Sequence, residues 1–132
     1  MTELLTTLHL AGESIQVRRR VIESVGYACT PEIREVLENA YYHEDGQMRV
    51  SAVMGMGRSC ERRWQEILLQ ELESASPAMR YEAAWACGEL ELQQAVPIMA
   101  RLINDPDRQV CNAAIWALGQ IGGAQAKQIL VD

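Results

Sequence analysis

Apolar positions along this chain follow two helical registers that alternate and return every 31 residues. The segments QVRRRVIESVG from Gln16, QMRVSAVMGMG from Gln47, AMRYEAAWACG from Ala78 and QVCNAAIWALG from Gln109 align without a gap. Their closing glycines, Gly26, Gly57, Gly88 and Gly119, fall 31 apart, as do Arg18, Arg49 and Arg80. Ser14, Asp45, Ser76 and Asp107 head the four units, residue types whose side chains accept a backbone N–H at a helix N-terminus. Pro77 follows Ser76, where proline suits the first helical position. The glycines are expected to end each helix in the left-handed conformation. The segment between cap and glycine is the B helix of each unit. On a wheel of the third copy, Met79, Ala83, Ala86 and Cys87 share the core side, with Val25, Met56 and Leu118 in the column of Cys87. The small residues Ser24, Gly55, Ala86 and Ala117 form a column that predicts close helix–helix contact.

The other half of each unit carries an A helix. Its apolar columns are Val36/Ile67/Ile98/Ile129, Leu37/Leu68/Met99/Leu130 and Tyr41/Leu72/Ile103. Pro97 falls in the first turn of its A helix, and Asn104-Asp105-Pro106-Asp107 is a turn. The whole reads as one all-α solenoid domain over 1–132, with units at about 14–44, 45–75, 76–106 and 107–132. Residues 1–13, with Leu4, Leu5, Leu8 and Leu10, align as a partial N-terminal unit. The last A helix, with Ile129, Leu130 and Val131, reads as shorter than the others and a poor polar cap. That predicts either a longer array or self-association through the C-terminal end.

Composition narrows the function classes. A net charge of −6 disfavours general nucleic-acid binding, which needs a basic surface. No apolar run is long enough for a membrane span, and the N-terminus does not read as a signal peptide. Four cysteines without a CxxC pair fit reduced thiols and a cytoplasmic setting. Cys29 and Cys60 share a column, but one repeat spacing is too long for a disulfide. Two histidines, His9 and His43, lie off any common B face, which argues against a metal site and against Cys–His or Ser–His–Asp catalysis. No cofactor is expected.

The stretch Asp105 to Gly122, DPDRQVCNAAIWALGQIG, resembles HEAT-like repeats of the phycobilisome-lyase type, and the likeness extends over essentially the whole chain. Tetratricopeptide and ankyrin signatures are missing. The resemblance implies a right-handed α-α superhelix of about four 31-residue helical hairpins. Relatives include scaffolds, chromophore-lyase subunits and an iron-dependent hydroxylase. The hydroxylase relatives carry His-Glu pairs directly after the ladder arginine, where this chain has Arg19-Arg20, Val50-Ser51, Tyr81-Glu82 and Asn112-Ala113. His43-Glu44 stands at the wrong place in the repeat, which removes that reading.

The B-helix column farthest from the core holds Glu23, Met54, Trp85 and Trp116. With Val50, Tyr81 and Asn112 beside it, this column predicts a partner-binding stripe on the concave face, with Trp85 and Trp116 bracketing a partner side chain at a repeat spacing of roughly 10 Å. The competing readings fold each indole flat over its own helix or use the stripe for self-association. The Arg18/Arg49/Arg80 ladder, interrupted by Cys111, predicts contacts to turn carboxylates or carbonyls of an adjacent unit, with anion binding as the alternative. Arg19, Arg20, Arg58, Arg62 and Arg63 read as a solvated face or a patch for an acidic peptide or phosphate. The function expected is a non-catalytic scaffold that binds a protein or peptide. The alternative, from resemblance alone, is a lyase-like or chaperone-like subunit for a chromophore-bearing protein. A DNA-repair enzyme using Glu82 and Trp85 is disfavoured by the acidic balance.

Overall fold

The computed structural model describes residues 14–25, 27–28, 30–59 and 61–131, and every regular element among them is helical. In chain order these are α1 (Ile15–Val25), α2 (Pro31–Tyr41), α3 (Gly46–Ser59), α4 (Gln65–Glu71), α5 (Pro77–Glu89), α6 (Val96–Leu102), α7 (Arg108–Ile121) and α8 (Gly123–Val131). Short 3-10 turns, Arg62–Trp64 and Gln93–Ala95, lead into α4 and α6. The chain divides into two compact units, Met1–Ser59 and Cys60–Asp132. In the first, α3 packs against both α1 and α2. In the second, α5 and α7 lie side by side, α4 rests on α5, and α6 and α8 rest on α7. The expectations for Leu4, Leu5, Leu8, His9, Leu10, Gly26, Cys29 and Cys60 lie outside the described residues.

All four predicted caps form. Ser14 Oγ accepts the Val17 N–H at 3.2 Å, and Ser76 Oγ accepts that of Met79 at 3.3 Å. Asp45 Oδ1 accepts from Gln47 and Met48 at 2.8 and 3.1 Å, and Asp107 Oδ1 from Gln109 and Val110 at 2.9 and 3.1 Å. Each satisfies helix-start amides otherwise without partners and contributes about 1 kcal/mol. Thr30, immediately before Pro31, caps α2 in the same way through the Ile33 amide at 3.3 Å.

The periodic glycines do a different job from the one their position suggests. Gly57, Gly88 and Gly119 lie inside α3, α5 and α7, and among the described glycines positive φ is found only at Gly122 (69°) and Gly123 (86°). α5 runs past Gly88 to Glu89, and the chain leaves it through Glu91, whose φ is 51°. There the Leu92 N–H donates to Cys87 O and the Glu91 N–H to Gly88 O, both at 3.1 Å, the paired bonds of a Schellman motif. Glycine takes this conformation without the Cβ penalty. Glu91→Gly should therefore raise stability by about 1 kcal/mol, read as a higher urea midpoint with an unchanged slope.

What the in-phase small residues provide is room. A Cβ on Gly55 would lie 2.6 Å from Leu37 Cδ2 and 3.0 Å from the carbonyl oxygen of Ile22, so α3 approaches α1 and α2 closely only because the residue is glycine. Ala86 and Ala117 are buried as the column predicts, whereas Ser24 is exposed and turns its hydroxyl onto the carbonyls of Arg20 and Val21.

Tyr41 and Leu72 are buried as predicted, but the A-helix core also takes in a column not among those predicted. Ile33, Trp64, Ala95 and Ala126 are all buried, as are Leu37, Leu68 and Met99. Val36, Ile67, Ile98 and Ile129 are only half-buried. The decisive column starts each A segment, and in two repeats that start is a 3-10 turn, outside the 3.6-residue register from which the columns were read. The final helix also differs from expectation. α8 has 9 residues against 7 in α4 and in α6, and it fully buries only Ala126, while Leu130 and Val131 are exposed.

Candidate functional site

The aromatic part of the predicted stripe lies within the second unit, on α5 and α7. Tyr81, Trp85 and Trp116 are half-buried and Asn112 is exposed. The Trp85 and Trp116 ring centroids are 3.8 Å apart with planes tilted by 39°. The Tyr81 ring meets Trp85 edge-on at 6.3 Å. The two indoles therefore stack on each other and leave no space for a partner side chain between them, which corrects the bracketing expectation. Helix spacing alone puts equivalent backbone positions far apart, but these side chains lean together, and Trp116 extends across α5 at Gly88. A Cβ on Gly88 would sit 2.6 Å from Trp116 Cζ3. Stacking in this manner adds roughly 1 kcal/mol beyond area burial. Trp85 Nε1 is buried and has no hydrogen-bond partner among the described residues. Tyr81, Trp85 and Trp116 thus form one contiguous aromatic cluster across α5 and α7.

Val50 and Met54 belong to the first unit, half-buried on α3. Around them the equivalent columns are polar. Arg19 Nε donates to Ser51 Oγ at 2.9 Å, and Ser51 Oγ donates to Glu23 Oε2 at 2.6 Å. Ser51 is fully buried, and this chain of bonds ties α1 to α3. Arg19 is thus a structural cross-link between α1 and α3 through its Nε. The signal for it was present in the 31-residue columns, which place Arg19, Glu23 and Ser51 on facing B helices. Arg58 donates to Glu23 O at 2.8 Å, at the C-terminal turn of α1, and lies 5.7 Å over the Tyr27 ring. Arg20, Arg62 and Arg63 are exposed, with Arg63 6.0 Å from the buried Trp64 ring.

The arginine ladder is structural at the two places where its bonds are described. Arg49 Nη1 donates to His43 O at 2.7 Å and Glu44 O at 3.0 Å, in the turn before its own helix. Arg80 donates to Ser74 O at 2.8 Å and forks onto Asp105 of the next turn, Nε to Oδ2 at 2.9 Å and Nη2 to Oδ1 at 3.0 Å. Burial alone would raise the Asp105 pKa. The Arg80 hydrogen bonds, the Asp107 amide and the guanidinium charge outweigh it and hold the carboxyl below its ordinary value. Cys111, which replaces arginine in the ladder, donates its thiol to Ile103 O at 2.8 Å. Cys87 is fully buried, and burial pushes its thiol up to about 12, so it is a packing residue with no nucleophilic character at neutral pH.

Among the described residues, no three His, Cys, Asp or Glu side chains gather as a metal site. No described helix is long and apolar enough to cross a membrane.

Capped helices paired in 31-residue phase, with packing and a fork between successive turns, define a tandem helical-hairpin protein. A family model described as HEAT repeats matches residues 65–132. The chain belongs to the HEAT-repeat family. HEAT repeats commonly mediate protein–protein interaction or scaffolding, and the family is generally non-catalytic.

Proposed function

We propose that this chain is a non-catalytic interaction module, a superhelical array whose B helices present a concave face to a protein or peptide partner. Tyr81, Trp85, Asn112 and Trp116 form the contact surface of the second unit, and Val50 and Met54 are the corresponding contact residues of the first unit, taken by itself. The observation that carries the reading is the contiguous Tyr81–Trp85–Trp116 aromatic cluster, half-exposed on two adjacent B helices. Tyrosine and tryptophan anchors of this kind dominate binding energies at interfaces. A cytoplasmic setting goes with this reading. The lyase-like or chaperone-like alternative rests on the family resemblance alone.

The test leaves the stacked indoles in place. Asn112→Arg adds a bulky charge to an exposed position beside the cluster and should leave the melting temperature unchanged. A partner identified by affinity enrichment with the intact chain should bind Asn112→Arg at least about tenfold more weakly in calorimetric titration. Equal affinity for both chains rejects the proposed face.

A further inference from the structure

In the first unit a cavity of about 140 Å³ opens between α1, α2 and the turn after α2. Arg18, Asn39 and His43 supply its polar lining, and Ile22, Val36 and Met48 are among its apolar walls. Arg18 is a member of the ladder, 62 residues before Arg80, and His43 stands 62 residues before Asp105. The match is geometric as well as numerical. Asp105 Oδ1 accepts the Asp107 N–H at 2.9 Å, Ser74 Oγ accepts the Ser76 N–H at 3.1 Å, and His43 Nδ1 accepts the Asp45 N–H at 2.9 Å. These three side chains occupy one place in the repeat, directly before each B helix.

Only at Asp105 does that place carry a carboxylate. The fork that Arg80 makes with Asp105 therefore has no counterpart at Arg18, whose Nε is buried without a hydrogen-bond partner among the described residues. Nor does histidine offer a substitute. With Nδ1 accepting from Asp45, the neutral ring carries its proton on Nε2 and is a donor there. The cavity thus brings together a guanidinium, a side-chain amide and an imidazole N–H, with no carboxylate among its described lining residues. A buried guanidinium nitrogen without an acceptor is unfavourable and pulls an anion toward it.

We propose that this cavity binds a carboxylate group, which takes up against Arg18 the place that Asp105 holds against Arg80. Its volume suits one carboxylate with a short stem, either a free small acid or the aspartate side chain of a partner peptide. This site is separate from the aromatic face and does not depend on it.

The experiment follows the Arg18 Nε–Hε signal of the full-length chain by nitrogen–proton NMR, assigned by its absence from Arg18→Lys. The probes are acetate, a blocked Ala-Asp-Ala peptide and its Asn counterpart. A saturable Arg18 shift is expected with a carboxylate probe and none with the Asn peptide. Tighter binding of the Asp peptide than acetate identifies a partner side chain as the source, and the reverse order identifies a free acid. His43→Asp installs the missing internal carboxylate, so it should raise the melting temperature and weaken carboxylate binding at least about tenfold. Absence of a saturable shift with either carboxylate, or undiminished binding by a folded His43→Asp chain, overturns the proposal.

Discussion

Replacing Asp105 with alanine should destabilise the protein by about 3 kcal/mol at neutral pH, measured by urea unfolding. The Asp105 side chain is 6% exposed and that of Arg80 15%. Removing the carboxylate strands a largely buried guanidinium and takes the acceptor from the Asp107 amide. Asp105→Asn keeps an acceptor for that amide and should lose less. The pH dependence follows from the direction of the Asp105 shift. Its carboxyl titrates below its ordinary value in the folded chain, so the stability it contributes is complete above the unfolded-state pKa and disappears as pH falls through the folded one. The gap between the native chain and Asp105→Asn should accordingly narrow in acid. By contrast, the Arg101–Glu73 pair, 2.6 Å long with side chains 69% and 58% exposed, should contribute little.

Gly88→Ala should destabilise where helix propensity alone favours the opposite sign. In an exposed helix interior the change gains about 1 kcal/mol. At Gly88 the new methyl would lie 2.6 Å from Trp116 Cζ3 and 3.0 Å from both Cα and Cβ of Ala117. Moving Trp116 disturbs its stack on Trp85, and moving Ala117 shifts the backbone of α7. Overpacking of this type outweighs propensity, for a net loss of about 1–3 kcal/mol. Gly119, in the same column, has nothing within 4 Å of its built Cβ. Gly119→Ala should follow propensity and gain up to about 1 kcal/mol. Opposite signs at two positions of one column would show that close helix approach requires glycine at 88 and not at 119.

That period was legible in the sequence, but its meaning was not. A glycine near the end of an amphipathic segment fits a C-terminal cap or a close crossing equally well, and only the continuation of α5 to Glu89 decides for the second. The N-caps were readable because a polar cap acts within three residues of itself, so Ser14, Asp45, Ser76 and Asp107 need no tertiary context. The Arg80–Asp105 fork was legible as a type of contact, since arginine in strict phase with acidic turns implies it. Trp64 escaped because its column pairs it with Ile33, Ala95 and Ala126, residues too unlike to read as one core layer. Backbone register placed Trp85 and Trp116 on one face. It did not show that the rings meet, because that depends on rotamers and on the space at Gly88.

The aromatic face is the central functional claim, and site-specific photo-crosslinking tests it most directly. A benzophenone amino acid placed at Asn112 sits beside the Tyr81–Trp85–Trp116 cluster, and one at Glu66 sits on an exposed part of the A helix α4. With the enriched partner present, crosslinks should form from position 112 and not from position 66. Crosslinks from position 66 alone, or equally from both, would contradict the account.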